Sequence, residues 1–305
     1  MIQPPFLQPG DSVAVVSTSN FTEQAYIDQL VEILKSWGLK PVLGKSIGAR
    51  QGSFAGSDRL RQQDLQEMLD RPDIKAIFET MGGYGIIRIV EDLDFNAFKK
   101  QPKWVIGYSD TTFLHSHLQG MLNVASLQAT MAADLEVGYQ KMSWETLRKA
   151  LFGEKLAYSV AAHPLNRLGE AKGTLTGGTL SILCNAKGTL TDTDTNGKIL
   201  FLEETSEHKY RVDSYLQSLK RARKFDYLRG LVVGNLTEIE EDDPPFGMEA
   251  EEIILEAVKD YDFPVCFGFP AGHGPVNKAL YFGVPLQLKV TESGSQITFK
   301  PGNGI

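Results

Sequence analysis

Three segments of this chain join a short apolar run to residues that can do chemistry. In Ile106-Gly107-Tyr108-Ser109-Asp110-Thr111 a serine stands where a strand bends into a helix. Such a bend exposes the hydroxyl and aims the first free N–H groups of the helix at whatever it attacks. Thr111 occupies the place of the second glycine in a G-x-S-x-G elbow, so the segment resembles that elbow without matching it. Ser109 or Asp110 could equally be a plain helix N-cap. In Met81-Gly82-Gly83-Tyr84-Gly85, glycines after a strand let the backbone approach a ligand and offer N–H groups to an anion. The spacing is neither a dinucleotide fingerprint nor a Walker A loop, and no Lys-Ser/Thr follows. An oxyanion hole or a carboxylate-binding turn fits better, with an ordinary tight turn as the alternative.

The third segment, Gly272-His273-Gly274-Pro275-Val276-Asn277, sets a histidine on a rigid turn where little hides the ring. The chain has five histidines. His115 and His117 are two residues apart on an expected helix and so face different ways. His163 and His208 lie in polar, loop-like stretches. His273 alone has a setting that suits a general base, although a structural role is the commoner fate of a lone histidine. A catalytic histidine needs a carboxylate on its other nitrogen. The apolar run Ile199-Leu200-Phe201-Leu202 ends in Glu203-Glu204. If the strand continues through them, the two carboxylates point to opposite sides and only one can face a site. A solvated pair at the strand end is the alternative.

The elements that must position these residues alternate in the first half. Strands are expected at 12–17, 40–43, 74–79 and 103–107, and helices over 22–37, 58–69, from 86 and over 111–119. A parallel sheet collects its site at the carboxyl ends of its strands, where the serine and the first glycine turn lie. The fold class is therefore α/β: an N-terminal doubly wound, mostly parallel sheet over residues 1–155, then a C-terminal α/β domain with a β-rich core over 170–305, with 156–169 as linker. In the second half Ser143 reads as an N-cap for a helix over 144–151, and 173–180 as turn-rich. Strands are expected at 198–202 and 228–233, helices at 212–222 and 250–258, and a closing hairpin around Ser293-Gly294-Ser295.

With 305 residues, 42% of them hydrophobic and 23% charged, the chain can bury a core without disulfides or metals. A formal charge of −7 argues against general affinity for nucleic acid. The one dense basic run, Lys220-Arg221-Ala222-Arg223-Lys224, reads as a solvated helix end. Cys184 and Cys266 form no C-x-x-C pair and read as buried free thiols. The opening residues lack a basic segment followed by a long apolar one, and no run reaches the ~18 apolar residues of a membrane span. A cytoplasmic protein with no membrane partner is expected.

Taken together, Gln8-Pro9-Gly10-Asp11, Gly82-Gly83-Tyr84-Gly85, Gly107-Tyr108-Ser109-Asp110, Thr176-Gly177-Gly178, Phe201-Leu202-Glu203-Glu204, Tyr210-Arg211-Val212-Asp213 and Gly272-His273-Gly274-Pro275 resemble the LD-carboxypeptidases, serine peptidase family S66. The matching segments run in the family's order from about residue 7 to residue 283. The resemblance implies a Ser-Glu-His triad of Ser109, Glu203 and His273, the acid being the first carboxylate after the apolar strand. It implies an oxyanion hole from the backbone N–H groups of Gly83 and Asp110, with Gly82 in the same substrate-binding turn, and no metal or cofactor. It further implies a site between two docked domains, release of terminal D-alanine from a murein tetrapeptide in cell-wall recycling, and compatibility with a homodimer. Two departures stand out. The family often has Arg before the first double glycine, where this chain has Thr80-Met81, and Asn after the later one, where it has Thr179. The Gly-Tyr-Gly turn looks more like the murein peptidases than like relatives that destroy microcin-type peptide-nucleotide antibiotics.

Overall fold

Alternation along the first strand divides the core into two faces. In the computed structural model, which describes residues 1–135 and 141–302, β1 (Ser12–Val16) sends Val13 and Val15 to one face and Ala14 and Val16 to the other, as a strand buried on both sides must. The first pair packs on Ile27, Leu30 and Leu34 of helix α1 (Gln24–Ser36). The second meets Leu65, Met68 and Leu69 of α2 (Asp58–Asp70), whose N-cap Ser57 accepts the Leu60 N–H. Strands β2 (Lys40–Leu43), β3 (Ile74–Glu79), β4 (Trp104–Gly107) and β5 (Ser126–Gln128) extend a parallel sheet. Helices α3 (Asn96–Lys100) and α4 (Thr112–Leu122) complete the first half. The helix expected from residue 86 is instead two 3₁₀ turns, Ile86–Arg88 and Val90–Asp92.

After α5 (Lys141–Leu151) a second sheet begins. It contains β6 (Ala157–Val160), β7 (Gly169–Thr179), β8 (Ile199–Thr205), β9 (Gly230–Thr237) and β10 (Val265–Cys266), with helices α6 (Leu180–Ala186), α7 (Lys209–Arg221) and α8 (Ala250–Ala257). The short β11 (Leu280–Phe282) precedes the closing hairpin of β12 (Pro285–Thr291) and β13 (Gly294–Phe299). The first sheet has the order β11-β5-β4-β3-β1-β2 and the second β10-β9-β8-β7-β12-β13-β6. Strands β7 to β10 run parallel, while β12, β13 and β6 are antiparallel.

Three elements differ from expectation. Residues 173–180 are not a string of turns but mostly the end of β7, an 11-residue strand whose Gly177 and Gly178 adopt positive φ. The stretch 156–169 contains β6, paired with β13. Ser143 lies inside α5 and does not start it; its hydroxyl accepts the Asn277 N–H.

The two sheets share a core. Strand β11 crosses back to pair antiparallel with β5, and Trp104, Ile106 and Leu127 of the first sheet pack in one cluster with Leu175, Phe201 and Val232 of the second. The other face of β8 and β9, with Leu200, Leu202, Leu231 and Val233, packs under α6, α7 and α8. The basic run at the end of α7 lies in surface ion pairs, Lys220 with Asp260 and Lys224 with Asp192. Cys184 and Cys266 are free thiols, and burial raises the pKa of both. Among the described residues no helix is long and apolar enough to cross a membrane.

Candidate active site

The nucleophile segment is a sharp elbow. Strand β4 is fully buried, Tyr108 continues extended, and Ser109 takes φ 59°, in the left-handed region that non-glycine residues seldom enter. A 3₁₀ turn, Ser109–Thr111, then feeds α4. The Asp110 side chain does not cap that helix. Its Oδ2 accepts the Ser19 hydroxyl at 2.6 Å and the Ile86 N–H at 2.8 Å, tying the elbow to the ends of β1 and of the glycine turn. Burial raises the Asp110 pKa.

The glycine turn presses directly on the serine. A Cβ built on Gly82 would lie 2.7 Å from Ser109 Cβ and 2.8 Å from Ser109 Oγ. No other residue type fits without moving the hydroxyl. The Asn20 N–H donates to the Gly82 carbonyl at 3.2 Å, and the Asn20 side chain lies against Gly83, which has φ 96°. The turn is thus clamped between β1's extension and the elbow.

Glu203 and His273 meet at one carboxylate oxygen. Glu203 Oε2 accepts the His273 ring at Nδ1, 2.8 Å away, and the His273 backbone N–H at 3.1 Å. Its other oxygen, Oε1, accepts the Thr179 hydroxyl at 2.5 Å. Glu203 is fully buried, and a Cβ on Gly272 would collide with it. With Nδ1 donating to the carboxylate, Nε2 of the neutral ring is the free acceptor. Burial lowers the His273 pKa, but the Glu203 charge and hydrogen bond, together with the Asp134 and Glu204 charges, outweigh it, so the net shift is upward. Glu204 is also buried, not solvated. It accepts the Ser181 N–H at 2.6 Å and the Thr205 N–H at 3.0 Å, and burial pushes its pKa up to about 7.

The loop carrying His273 is fastened from several sides. Asn277 Oδ1 accepts the Gly272 N–H, the Thr237 hydroxyl donates to the His273 carbonyl, and Ser143 and Thr146 of α5 accept N–H groups of Asn277 and Ala279. The Tyr108 ring lies 4.8 Å from the His273 ring, and its hydroxyl donates to Asp134 at 2.6 Å. Neither Tyr108 nor Asp134 was singled out in the sequence. The aromatic next to the elbow serine was the one available signal.

Ser109, Gly83, Asp110 and His273 line one cavity of about 260 Å³, together with Tyr84, Phe113, Thr179, Glu204, Glu207 and Tyr215. Ser109 and His273 make no direct hydrogen bond across it, and such contacts often tighten only with substrate bound. Larger surface clefts of about 550 to 600 Å³ elsewhere contain none of Ser109, Glu203, His273, Gly82, Gly83 and Asp110. The other histidines lie apart from this cavity. His115 is buried between Ser126 and the Gly107 carbonyl, with its pKa lowered to about 4 by burial, and His117 stacks on Phe95. His163 stacks on Phe267, and His208 is set beside Glu240 and Asp242.

The arrangement offers a hydroxyl at a strained elbow, an imidazole fixed by a buried carboxylate, and a glycine turn against the hydroxyl. That combination suits acyl transfer. Family models of the LD-carboxypeptidase N-terminal and C-terminal domains match residues 13–129 and 172–288. A probable murein peptide carboxypeptidase of Bacillus subtilis is 30% identical, with 97% of this chain and 94% of the relative covered. The microcin C7 self-immunity protein of Escherichia coli is 25% identical over 96% of this chain and 94% of its own length. In fold, the chain is similar to the crystal structure of muramoyltetrapeptide carboxypeptidase from Oxalobacter formigenes, with TM-score 0.87, 24% identity, and coverage of 95% of this chain and 99% of that one.

Proposed function

Since the chain belongs to the LD-carboxypeptidase family, and is on that ground a peptidase of the carboxypeptidase type, we propose that it is a serine enzyme releasing the terminal D-alanine of murein tetrapeptide. The observation that carries the serine reading is the Glu203–His273 pair at 2.8 Å, opening on the cavity that Ser109 lines.

In this reading Ser109 Oγ attacks the carbonyl carbon of the scissile L,D-peptide bond while His273 Nε2 takes its proton. Glu203 holds the ring in the correct tautomer and stabilises the imidazolium. The tetrahedral oxyanion is held by the N–H groups of Gly83 and Asp110, with Gly82 giving the turn its close approach; each such donor is worth about 3 kcal/mol in comparable hydrolases. Collapse breaks the C–N bond, and His273 returns the proton to the leaving amine of D-alanine. Water then attacks the acyl-serine with His273 as base, freeing the shortened peptide and regenerating the hydroxyl.

Recognition of the chain end follows from what lines the cavity. Among the described residues it has no Lys or Arg lining, and Met81 stands where relatives often carry Arg. Backbone N–H groups around 82–85 therefore take the larger share in binding the free carboxylate. We place the activity in the cytoplasm, in recycling of wall peptides, with the protein able to act as a homodimer. The similarity to the microcin self-immunity protein supports a second reading, hydrolysis of a microcin-like peptide-nucleotide or aminoacyl-adenylate analogue. Incubation with murein tetrapeptides and, separately, with a peptide-nucleotide antibiotic tests both by mass spectrometry. Loss of D-alanine from the first supports the proposal. Cleavage of the second alone replaces it.

A further inference from the structure

The end of β7 and the end of β8 run side by side, with Thr179 paired to Glu203. Thr179 is also the residue before the first turn of α6, the place where a threonine hydroxyl ordinarily accepts a free N–H of the helix. Here it makes no such cap. The capping is done by Glu204, whose carboxylate accepts the Ser181 N–H of the first turn at 2.6 Å. The Thr179 hydroxyl is released from that duty and donates to Glu203 Oε1 at 2.5 Å. Its backbone N–H meanwhile donates at 3.2 Å to Oγ1 of Thr112, the first residue of the helix that follows Ser109.

We infer that Thr179 is a positioning residue for the Glu203–His273 pair, and that through Thr112 it sets that pair in register with the helix that follows Ser109. Glu203 is fully buried and holds one oxygen on His273. A carboxylate rotates about its last bond. A donor on Oε1 stops that rotation and leaves Oε2 aimed at Nδ1, 2.8 Å away, where it also accepts the His273 N–H at 3.1 Å. The contact crosses from the first sheet's helix to the second sheet's strand end, so the acid, the base and the nucleophile helix are tied at one threonine.

The inference rests on the serine reading for its effect on turnover, but its geometric core concerns only Glu203 and His273 and can be tested without substrate. Four groups face His273: the Glu203, Asp134 and Glu204 carboxyls and the Tyr108 ring. The His273 pKa is followed by NMR titration of its ring in the wild type, in T179V, which keeps the shape and removes the hydroxyl, and in T179S, which keeps the donor. Release of Glu203 from its set orientation is expected to move His273 to a lower pKa in T179V and to leave it near the wild-type value in T179S. If Glu203 stayed in place and merely lost a donor, it would be a stronger acceptor, and the His273 pKa would rise. A rise, or no change, overturns the inference. Should T179V fail to fold, T179A carries the same expectation.

In turnover, T179V is expected to lower kcat about 10- to 100-fold, the loss typical of one hydrogen bond to a charged group, with KM little changed and T179S restoring the rate. A change in KM alone would make Thr179 a substrate contact and overturn the positioning role. Failure of the serine reading leaves the titration result standing, so the two can be told apart.

Discussion

Gly82 lies so close to Ser109 that a single added carbon would sit 2.8 Å from the hydroxyl oxygen. The glycine turn and the elbow are therefore one unit. Gly82→Ala must push Ser109 out of its position or open the turn. A displacement of this kind is worth about 100-fold in rate when it misaligns reacting atoms. Steady-state assay of G82A on a murein tetrapeptide is expected to show a loss of at least that size, with a melting temperature near wild type. Activity within a factor of about three would mean the turn does not abut the reacting serine.

The choice between adjacent carboxylates follows from their partners. Glu203 serves His273, whereas Glu204 serves backbone N–H groups of Ser181 and Thr205. Glu203→Gln removes the charge that fixes the ring and is expected to cost about 10⁴-fold in kcat, as loss of the acid does in a comparable triad. Glu204→Gln should cost far less. Equal losses would remove the distinction.

The pH dependence has a definite sign. His273 must be neutral to accept a proton, and its pKa is raised above 6.5. The kcat/KM profile should therefore fall as pH drops through a value above 6.5. Glu203→Gln removes the two largest raising influences and leaves the burial that lowers the pKa, so the acid limb should move to lower pH. An unchanged limb would show that another group controls it.

How much of this could be seen in the sequence depends on how local each feature is. The serine at the end of an apolar strand, the glycine turn after β3 and the glycine-flanked His273 are local patterns, and all three lie on one cavity. Glu203 was harder. Alternation said only that one of two carboxylates could face inward, while a register shift between Leu202 and Glu204 lets both be buried with different partners. Non-local features left no mark. Nothing in Leu280-Tyr281-Phe282 says that β11 joins the first sheet. Ser143 looks like a cap, but its hydroxyl serves a loop 134 residues away. The glycines of β7 read as turns because glycine is commonest there, whereas Gly177 and Gly178 are required by close neighbours distant in sequence, the Phe201 carbonyl of β8 and the Thr112 side chain of α4.

A stability prediction concerns Glu79, buried behind the elbow with its Oε2 bonded to the Thr18 hydroxyl at 2.7 Å. Burial raises its pKa from 4.5 to about 8. The folded state thus holds a proton that the unfolded state loses above pH 4.5, so this group's contribution to stability is full below 4.5 and is lost as pH rises towards about 8. Glu79→Gln cannot ionise. Its thermal stability is expected to decline less than that of the wild type between pH 5 and pH 8 in scanning calorimetry. Parallel curves would mean Glu79 is already ionised when folded.

The most direct test of serine catalysis is D-alanine release from a murein tetrapeptide, followed by mass spectrometry, for the wild type and for Ser109→Ala of matched stability. Removal of a triad nucleophile lowers turnover about 10⁶-fold, and a loss of that order is expected. An Ala variant that keeps more than about one hundredth of the wild-type rate, far above what a missing nucleophile allows, would contradict the assignment of Ser109.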